Sequence, residues 1–142
     1  MKINDIIQSK GSAVVTATPE QDIGTLARLL AAHRIGAVVV VDDAGRLVGV
    51  AGERDVVRAI AEHGAAGLQL PISQFLPAQI CTCALDDEVA EVAGTMTEFR
   101  ARHVPVLVDG KLAAIVSIGD IVKHRIDQLQ AEREHLVSYL HG

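Results

Sequence analysis

The sequence predicts an α/β (α+β) fold in which two copies of a β-α-β-β-α unit follow one another along the chain. Shifting the 142-residue sequence by 65 to 66 positions superposes its halves, so that Thr16 falls on Thr82 and Asp55 on Asp120. In both halves helical periodicity, β-branched runs and turn residues come in the same order. Two copies form a pseudo-symmetric pair, since a solenoid needs three or more.

In the first copy, residues 13–17 are predicted as a short strand that leads into a helix. Thr18 is expected to cap this helix, with Pro19 at its first position and Gln21 completing a capping box. Apolar residues follow at helical spacing, and Gly36 is expected to end the helix. These apolar residues are Ile23, Leu26, Ala27 and Leu30.

A hairpin and a second helix complete the first copy. The β-branched run 37–41 predicts a buried strand, residues 42–45 have the composition of a hairpin turn, and residues 47–51 form the partner strand. A second helix is expected over residues 54–62.

The second copy repeats this order after a short connection. A helix over 89–96, a strand over 104–108, a tight turn and a return strand over 112–117 are predicted, and the next helix starts near Gly119. The chain is therefore divided into a first repeat, a connection, a second repeat and a C-terminal helical extension: 1–64, 65–77, 78–127 and 128–142.

The last helix continues beyond its counterpart and carries an apolar stripe with alternating spacings of four and three residues. Such spacing is typical of a short coiled coil, so we expect a homodimer to which this helix contributes. A helix lying on its own domain is the alternative. The stripe consists of Val122, Ile126, Leu129, Arg133, Leu136 and Leu140.

Composition excludes several classes of protein. Hydrophobic residues make up 49% and charged residues 22%, which excludes intrinsic disorder. A net charge of −5 and 2% aromatic residues argue against nucleic acid as a partner. No apolar stretch approaches the ~20 residues of a membrane span, and the first residues lack the pattern of a secretory signal. A cytoplasmic location is expected, with Cys81 and Cys83 as free thiols.

Both copies close on a similar motif. Residues 49–55 read Gly-Val-Ala-Gly-Glu-Arg-Asp, and residues 114–120 read Ala-Ile-Val-Ser-Ile-Gly-Asp. Each resembles the signature that closes a repeat of the cystathionine β-synthase (CBS) domain family: Gly, two apolar residues, Ser or Thr, any two residues, and Asp. Residues 102–106, Arg-His-Val-Pro-Val, resemble the strand that precedes this signature in the family. Residues 1–127 are thus similar to a tandem CBS pair, a Bateman module.

The resemblance implies that the two repeats pack through their sheets with pseudo-twofold symmetry and leave two clefts for adenine nucleotides. AMP, ADP or ATP are the expected ligands, and NAD(H) or S-adenosylmethionine are further candidates. It also implies a regulatory protein without a required cofactor, acting on an unknown regulated partner.

The resemblance also places nucleotide-binding residues on this sequence. The two aspartates at the helix starts would accept ribose hydroxyls, although simple helix capping is the alternative for both. Helix N-termini and basic residues would hold phosphate, and the strands that begin at the two threonines would meet the adenine edge. The implied set is Thr16, Val50, Arg54, Asp55, Thr82, Cys83, Arg102, His103, Val104, Pro105, Ser117, Ile118, Gly119 and Asp120.

The two copies depart from the signature differently. Gly52 replaces the hydroxyl residue in the first copy, whereas Ser117 keeps it in the second. Gly36 and the following alanine stand where the second copy has Arg102 and a histidine. The clefts are therefore expected to differ, and the cleft closed by Asp120 is expected to bind more tightly.

Other functions have less support from the sequence. It contains no Gly-x-Ser-x-Gly elbow, Walker loop or Gly-x-Gly-x-x-Gly fingerprint, so no catalytic activity is expected. One alternative is a dimerisation or scaffold module that has lost its ligand. Another is a metal site made by Cys81, Cys83 and a histidine, although structural zinc sites usually contain two such pairs.

Overall fold

The computed structural model describes residues 1–141. The first half contains a helix, a strand, a helix, a hairpin and a helix: α1 (Ile3–Lys10), β1 (Thr16–Ala17), α2 (Ile23–His33), β2 (Ala37–Val41), β3 (Leu47–Gly52) and α3 (Glu53–His63). Two 3-10 helices, Gly64–Gln69 and Ile72–Phe75, form the connection. The second half repeats the order with a longer last helix: β4 (Cys83–Ala84), α4 (Val89–Phe99), β5 (His103–Val108), β6 (Lys111–Ser117) and α5 (Ile118–His141). Gly142, the last residue of the predicted extension 128–142, lies outside the described residues.

Each half forms one three-stranded sheet, in the order β1-β2-β3 and β4-β5-β6. The first strand of each sheet pairs in parallel with the second, which pairs antiparallel with the third. β3 lies against β5, so the two sheets meet across the pseudo-twofold axis. The predicted α/β fold of two β-α-β-β-α units packed sheet to sheet is confirmed.

The start of α2 differs from the prediction. Asp22, not Thr18, is the N-cap, and its carboxylate accepts a 2.8 Å hydrogen bond from the backbone N–H of Thr25. The side chain of Gln21 does accept from the N–H of Thr18 at 2.8 Å, but this bond closes a turn before the helix. Aspartate at the cap reaches the N–H groups of the first turn, which explains the later start.

The end of α2 also differs from the prediction, and α4 ends in the same way. α2 ends at His33, and Arg34 takes the left-handed conformation with φ 54°. Arg100 does the same after α4, with φ 53°. Gly36 has another role: a Cβ there would lie 3.3 Å from Cε1 of His103, on the other repeat.

Each half has its own aliphatic core, and the segment preceding each repeat packs into the core of the other half. α1, which the sequence did not predict, buries Ile3 and Ile6 in the core of the second half. Ile72 and Phe75 of the connection pack into the core of the first half. In space, therefore, α1 joins the second unit and the segment Ile72–Phe75 joins the first.

The apolar stripe of α5 faces away from the rest of the chain. Leu136 is 58% exposed and Leu140 is 70% exposed, whereas Ile121 at the start of the helix is buried. The stripe therefore does not pack on its own domain. No helix within residues 1–141 combines the length and the apolar character that crossing a bilayer requires.

Gly67 is expected to be intolerant of any side chain. A Cβ at this position would lie 2.3 Å from the backbone oxygen of Ala59, where the first 3-10 helix crosses α3. We expect Gly67→Ala to reduce the free energy of unfolding by about 2 kcal/mol or more, because the backbone at Ala59 or at residue 67 must move to make room for the methyl group. Urea unfolding followed by circular dichroism measures this change.

Gly94 provides the matched control, because it is exposed in the interior of α4 and a Cβ there meets nothing within 4 Å. Gly94→Ala is expected to stabilise the protein by about 0.5 to 1 kcal/mol through helix propensity. Equal effects of the two substitutions would contradict the packing described here.

Candidate ligand-binding clefts

A cleft of about 760 Å³ opens where the two repeats meet on the side of α3. We call it the open cleft. It is lined by the start of β2, the β3–α3 turn, the connection and the chain before β5. Its volume lies within the range of about 300 to 1,000 Å³ that is typical of small-molecule sites.

Five of the predicted site residues line this cleft, and they come from both repeats: Val50, Arg54, Asp55, Arg102 and His103. The other predicted residues lie elsewhere. Cys83, Val104 and Pro105 are buried in the second half. Thr16 and Thr82 are exposed at the starts of their sheets. Ser117 is the last residue of β6, and residues 118–120 belong to the first turn of α5.

Asp55 both caps α3 and faces the open cleft. Its Oδ2 accepts a 2.8 Å hydrogen bond from the backbone N–H of Gly52. Burial raises the pKa of Asp55, while the Gly52 N–H and the nearby Arg58 guanidinium oppose this shift. The capping bond involves one carboxylate oxygen, so capping and ligand binding are compatible at this residue.

The missing hydroxyl of the first signature has a steric cause. A Cβ at Gly52 would lie 2.5 Å from the backbone oxygen of Gly36, which itself accepts a 3.1 Å hydrogen bond from the N–H of Glu53. In the second copy the hydroxyl of Ser117 accepts from the backbone N–H of Asp120 at 3.0 Å. Ser117 therefore caps its helix.

Positive charge surrounds the open cleft. Its lining contains four arginines, which outnumber the two acidic side chains, Glu53 and Asp55. Arg58 is held in place by a 2.9 Å hydrogen bond to the backbone oxygen of Phe75 and lies 5.2 Å from the centre of that ring. Guanidinium groups are well suited to phosphate oxygens.

Sequence reasoning missed Arg58, Arg100, Phe99 and residues 77–81, which run from the end of the connection towards β4. A signal existed for Arg58, because it follows Asp55 by three residues in α3 and so shares a helix face with it. Nothing in the sequence indicated that the connection passes along the cleft.

His103 lines the open cleft and lies near both Asp120 and Glu53. Burial is the main cause that lowers its pKa, and Lys10 and Arg102 add to this, while Asp120 and Glu53 oppose it. The imidazole is therefore largely neutral at pH 7. Positive charge at the start of this strand therefore comes from Arg102. The sequence had suggested that both Arg102 and His103 would supply it.

The second copy's aspartate already has a cation beside it. Nζ of Lys10 lies 2.6 Å from Oδ2 of Asp120 and also donates a 2.8 Å hydrogen bond to the backbone oxygen of Ile115. Burial alone would raise the pKa of Asp120, but the bonds from Lys10 and from the N–H of Ser117 outweigh it and lower the pKa. The expectation of tighter binding at Asp120 took no account of this lysine.

The two cysteines lie in different environments. Burial, with a contribution from Asp87, raises the pKa of the Cys83 thiol to about 12, so it stays protonated in the second core. Cys81 lines the open cleft. Among residues 1–141 no group of three or more His, Cys, Asp or Glu side chains is arranged to share a metal ion. Cys83 is a buried residue of the second core.

Two β-α-β-β-α repeats, each with an aspartate in the first turn of its last helix and a cleft between them, define a tandem-repeat ligand-binding module. The chain belongs to the CBS domain family: the profile of the CBS domain matches residues 4–62 and again residues 73–127. The predicted tandem CBS pair is confirmed.

Solved structures and curated proteins agree with this assignment. The CBS-domain containing protein ATU1752 from Agrobacterium tumefaciens is 43% identical, with a TM-score of 0.85, covering 88% of this chain and 99% of that one. The mitochondrial CBS domain-containing protein CBSX3 of Arabidopsis thaliana is 27% identical over 99% of this chain and 72% of its own length. The CBS domain pair of protein MJ0100, solved with 5′-methylthioadenosine and S-adenosyl-L-methionine, is 26% identical, with a TM-score of 0.80, covering 90% of this chain and 98% of that one.

The Lys10–Asp120 pair is expected to stabilise the fold in a pH-dependent way. Because the pKa of Asp120 is lowered on folding, its contribution is present above the ordinary pKa of 3.8 and is lost as the pH falls through the lowered value. We expect Lys10→Met to cost about 1 to 2 kcal/mol at pH 7, and much less at an acidic pH that protonates Asp120. Urea unfolding at the two pH values measures the difference.

Lys2→Met is the control, since Lys2 pairs with the exposed Glu88. A destabilisation by Lys10→Met that is the same at both pH values would show that Asp120 is not its partner.

Proposed function

We propose that this chain is a regulatory CBS-pair protein that binds an adenine nucleotide in the open cleft and has no catalytic activity of its own. One observation carries the proposal: Asp55 and Arg102, from different repeats, line the same cleft of about 760 Å³. A carboxylate can accept both hydroxyls of a ribose, and a guanidinium can bind phosphate in a bidentate manner. Apolar residues between them, such as Ala37 and Val50, suit the face of a base.

The charge of the cleft favours a phosphorylated ligand. AMP, ADP, ATP and NAD(H) carry phosphate that the arginines would bind, whereas S-adenosylmethionine carries a sulfonium cation. Adenosine is the element common to all of these candidates and to both ligands of the MJ0100 domain pair. We therefore expect adenosine phosphates to bind more tightly than S-adenosylmethionine.

Dimerisation is the second part of the proposal. The apolar stripe of α5 is exposed along its length, and each large apolar side chain left in water forgoes roughly 1.5 to 3 kcal/mol. A second copy of α5 would cover it. The same observation favours the alternative function, a dimerisation or scaffold module without a ligand. We further propose that the chain acts in the cytoplasm on an unknown regulated protein.

Asp55→Asn tests the ligand proposal. Thermal-shift and calorimetric titrations with AMP, ADP, ATP, NAD, NADH and S-adenosylmethionine are expected to show binding by at least one adenosine phosphate. At a 100-fold excess over the dissociation constant the stabilisation is about 2.7 kcal/mol. Asp55→Asn keeps the helix cap but loses the charge, so we expect affinity to fall about 10-fold or more.

Asp43→Asn, in an exposed turn, is the control and is expected to bind like the wild type. The proposal is contradicted if none of the six compounds binds, or if the bound nucleotide is turned over.

Light scattering tests the dimer. We expect about twice the 15.0 kDa of one chain, and a shift to the monomer for Leu129→Glu combined with Leu136→Glu. Gln130→Glu, at a polar position of the same helix, is expected to leave the dimer intact. A mass near 15.0 kDa for the wild type at high micromolar concentration would show that the stripe has no second copy on it.

A further inference from the structure

The segments that precede the two repeats dock in the same way. The N–H of Ile3 donates to the backbone oxygen of Asp87 at 2.9 Å, and the N–H of Ile72 donates to that of Gln21 at 2.8 Å. Asp87 and Gln21 are counterparts under the 66-residue shift. α1 is therefore the spatial counterpart of the 3-10 helix Ile72–Phe75.

The two segments differ in length, and Pro77 accounts for the difference. α1 runs for 8 residues, whereas the 3-10 helix has 4. A proline disfavours helical backbone at the residue before it, and Leu76 is extended, with φ −71° and ψ 137°. The connection then continues along the open cleft, while α1 adds another turn and ends on Lys10.

Lys10 binds two polar groups that correspond to groups of the open cleft. Its Nζ contacts Oδ2 of Asp120 at 2.6 Å and the backbone oxygen of Ile115 at 2.8 Å. Under the 65-residue shift these residues correspond to Asp55 and Val50, both of which line the open cleft. The Lys10 and Asp120 side chains are 30% and 24% exposed, so the pair is largely shielded from water.

We infer that Lys10 closes the second cleft, so that each chain holds one adenosine-type ligand, in the open cleft alone. The inference rests on the proposed function for the identity of the ligand. A ribose at Asp120 would have to displace an ammonium group that makes two charge-assisted hydrogen bonds. Each such bond corresponds to about 10- to 100-fold in affinity, so the second cleft is closed at ordinary nucleotide concentrations. The sequence predicted tighter binding at Asp120 than at Asp55, and this inference reverses that order.

Calorimetric stoichiometry on the full chain tests this inference, with AMP, ADP, ATP and S-adenosylmethionine titrated separately. We expect one site per chain in the wild type, weakened about 10-fold or more by Asp55→Asn and unchanged in Asp120→Asn. Lys10→Met keeps the apolar stem of the side chain but loses the ammonium, and it is expected to show two sites. Asp120→Asn in the Lys10→Met background is expected to return the count to one.

Lys2→Met, also on the N-terminal segment, is the control and should keep one site, and circular dichroism checks that each variant is folded. Two sites in the wild type, one site that depends on Asp120, or one site in Lys10→Met would each overturn the inference. If the wild type binds none of the four compounds while Lys10→Met binds one of them through Asp120, the proposed function of the open cleft fails and the closure by Lys10 stands. If neither protein binds any compound, both fail.

Discussion

The structure depends on one backbone hydrogen bond that occurs once in each repeat. The N–H of Glu53 donates to the oxygen of Gly36, and the N–H of Ile118 donates to the oxygen of Arg102, at 3.1 and 2.9 Å. Each bond ties the first residue of the last helix to the chain just before the central strand. In the first repeat the aspartate two residues into the helix, Asp55, is thereby held at the edge of the open cleft, which residues of the other repeat also line. Fold and site are positioned by the same contact.

The two copies share this arrangement but have different side chains around it. In the first copy, Gly52 lies so close to the backbone oxygen of Gly36 that a hydroxyl side chain does not fit there, and His103 lies close to Gly36. Space for a ligand remains beside these residues. At the second, Ser117 caps the helix and Lys10 neutralises Asp120. The repeat thus provides two equivalent frames, and substitutions at a few positions make one of them a cleft and the other a closed, ion-paired end.

Much of the fold could be predicted because periodicity and turn chemistry are local properties of the sequence. The two hairpins and the paired helices follow from apolar spacing and from turns such as Asp109-Gly110, where both residues have positive φ. The cap at Asp22 was missed because Thr18-Pro19 offers an equally plausible helix start nearby. Arg34 in a left-handed conformation gave no signal, since glycine is the usual residue there.

The site was less predictable because its decisive contacts join residues that are far apart in the chain. Lys10 and Asp120 are separated by 110 residues, and no local pattern connects them. The signature identified both aspartates but could not show which one faces open space. Arg102 was found because it lies beside a recognisable strand, whereas the cleft-lining role of residues 77–81 follows only from where the connection runs.

A crystal structure of the full chain grown with AMP tests the central claim most directly. We expect the ribose on the carboxylate of Asp55, the phosphate towards Arg102, and Lys10 still bonded to Asp120. A nucleotide bound at Asp120 with the Lys10 side chain displaced, and an empty cleft at Asp55, would contradict the account.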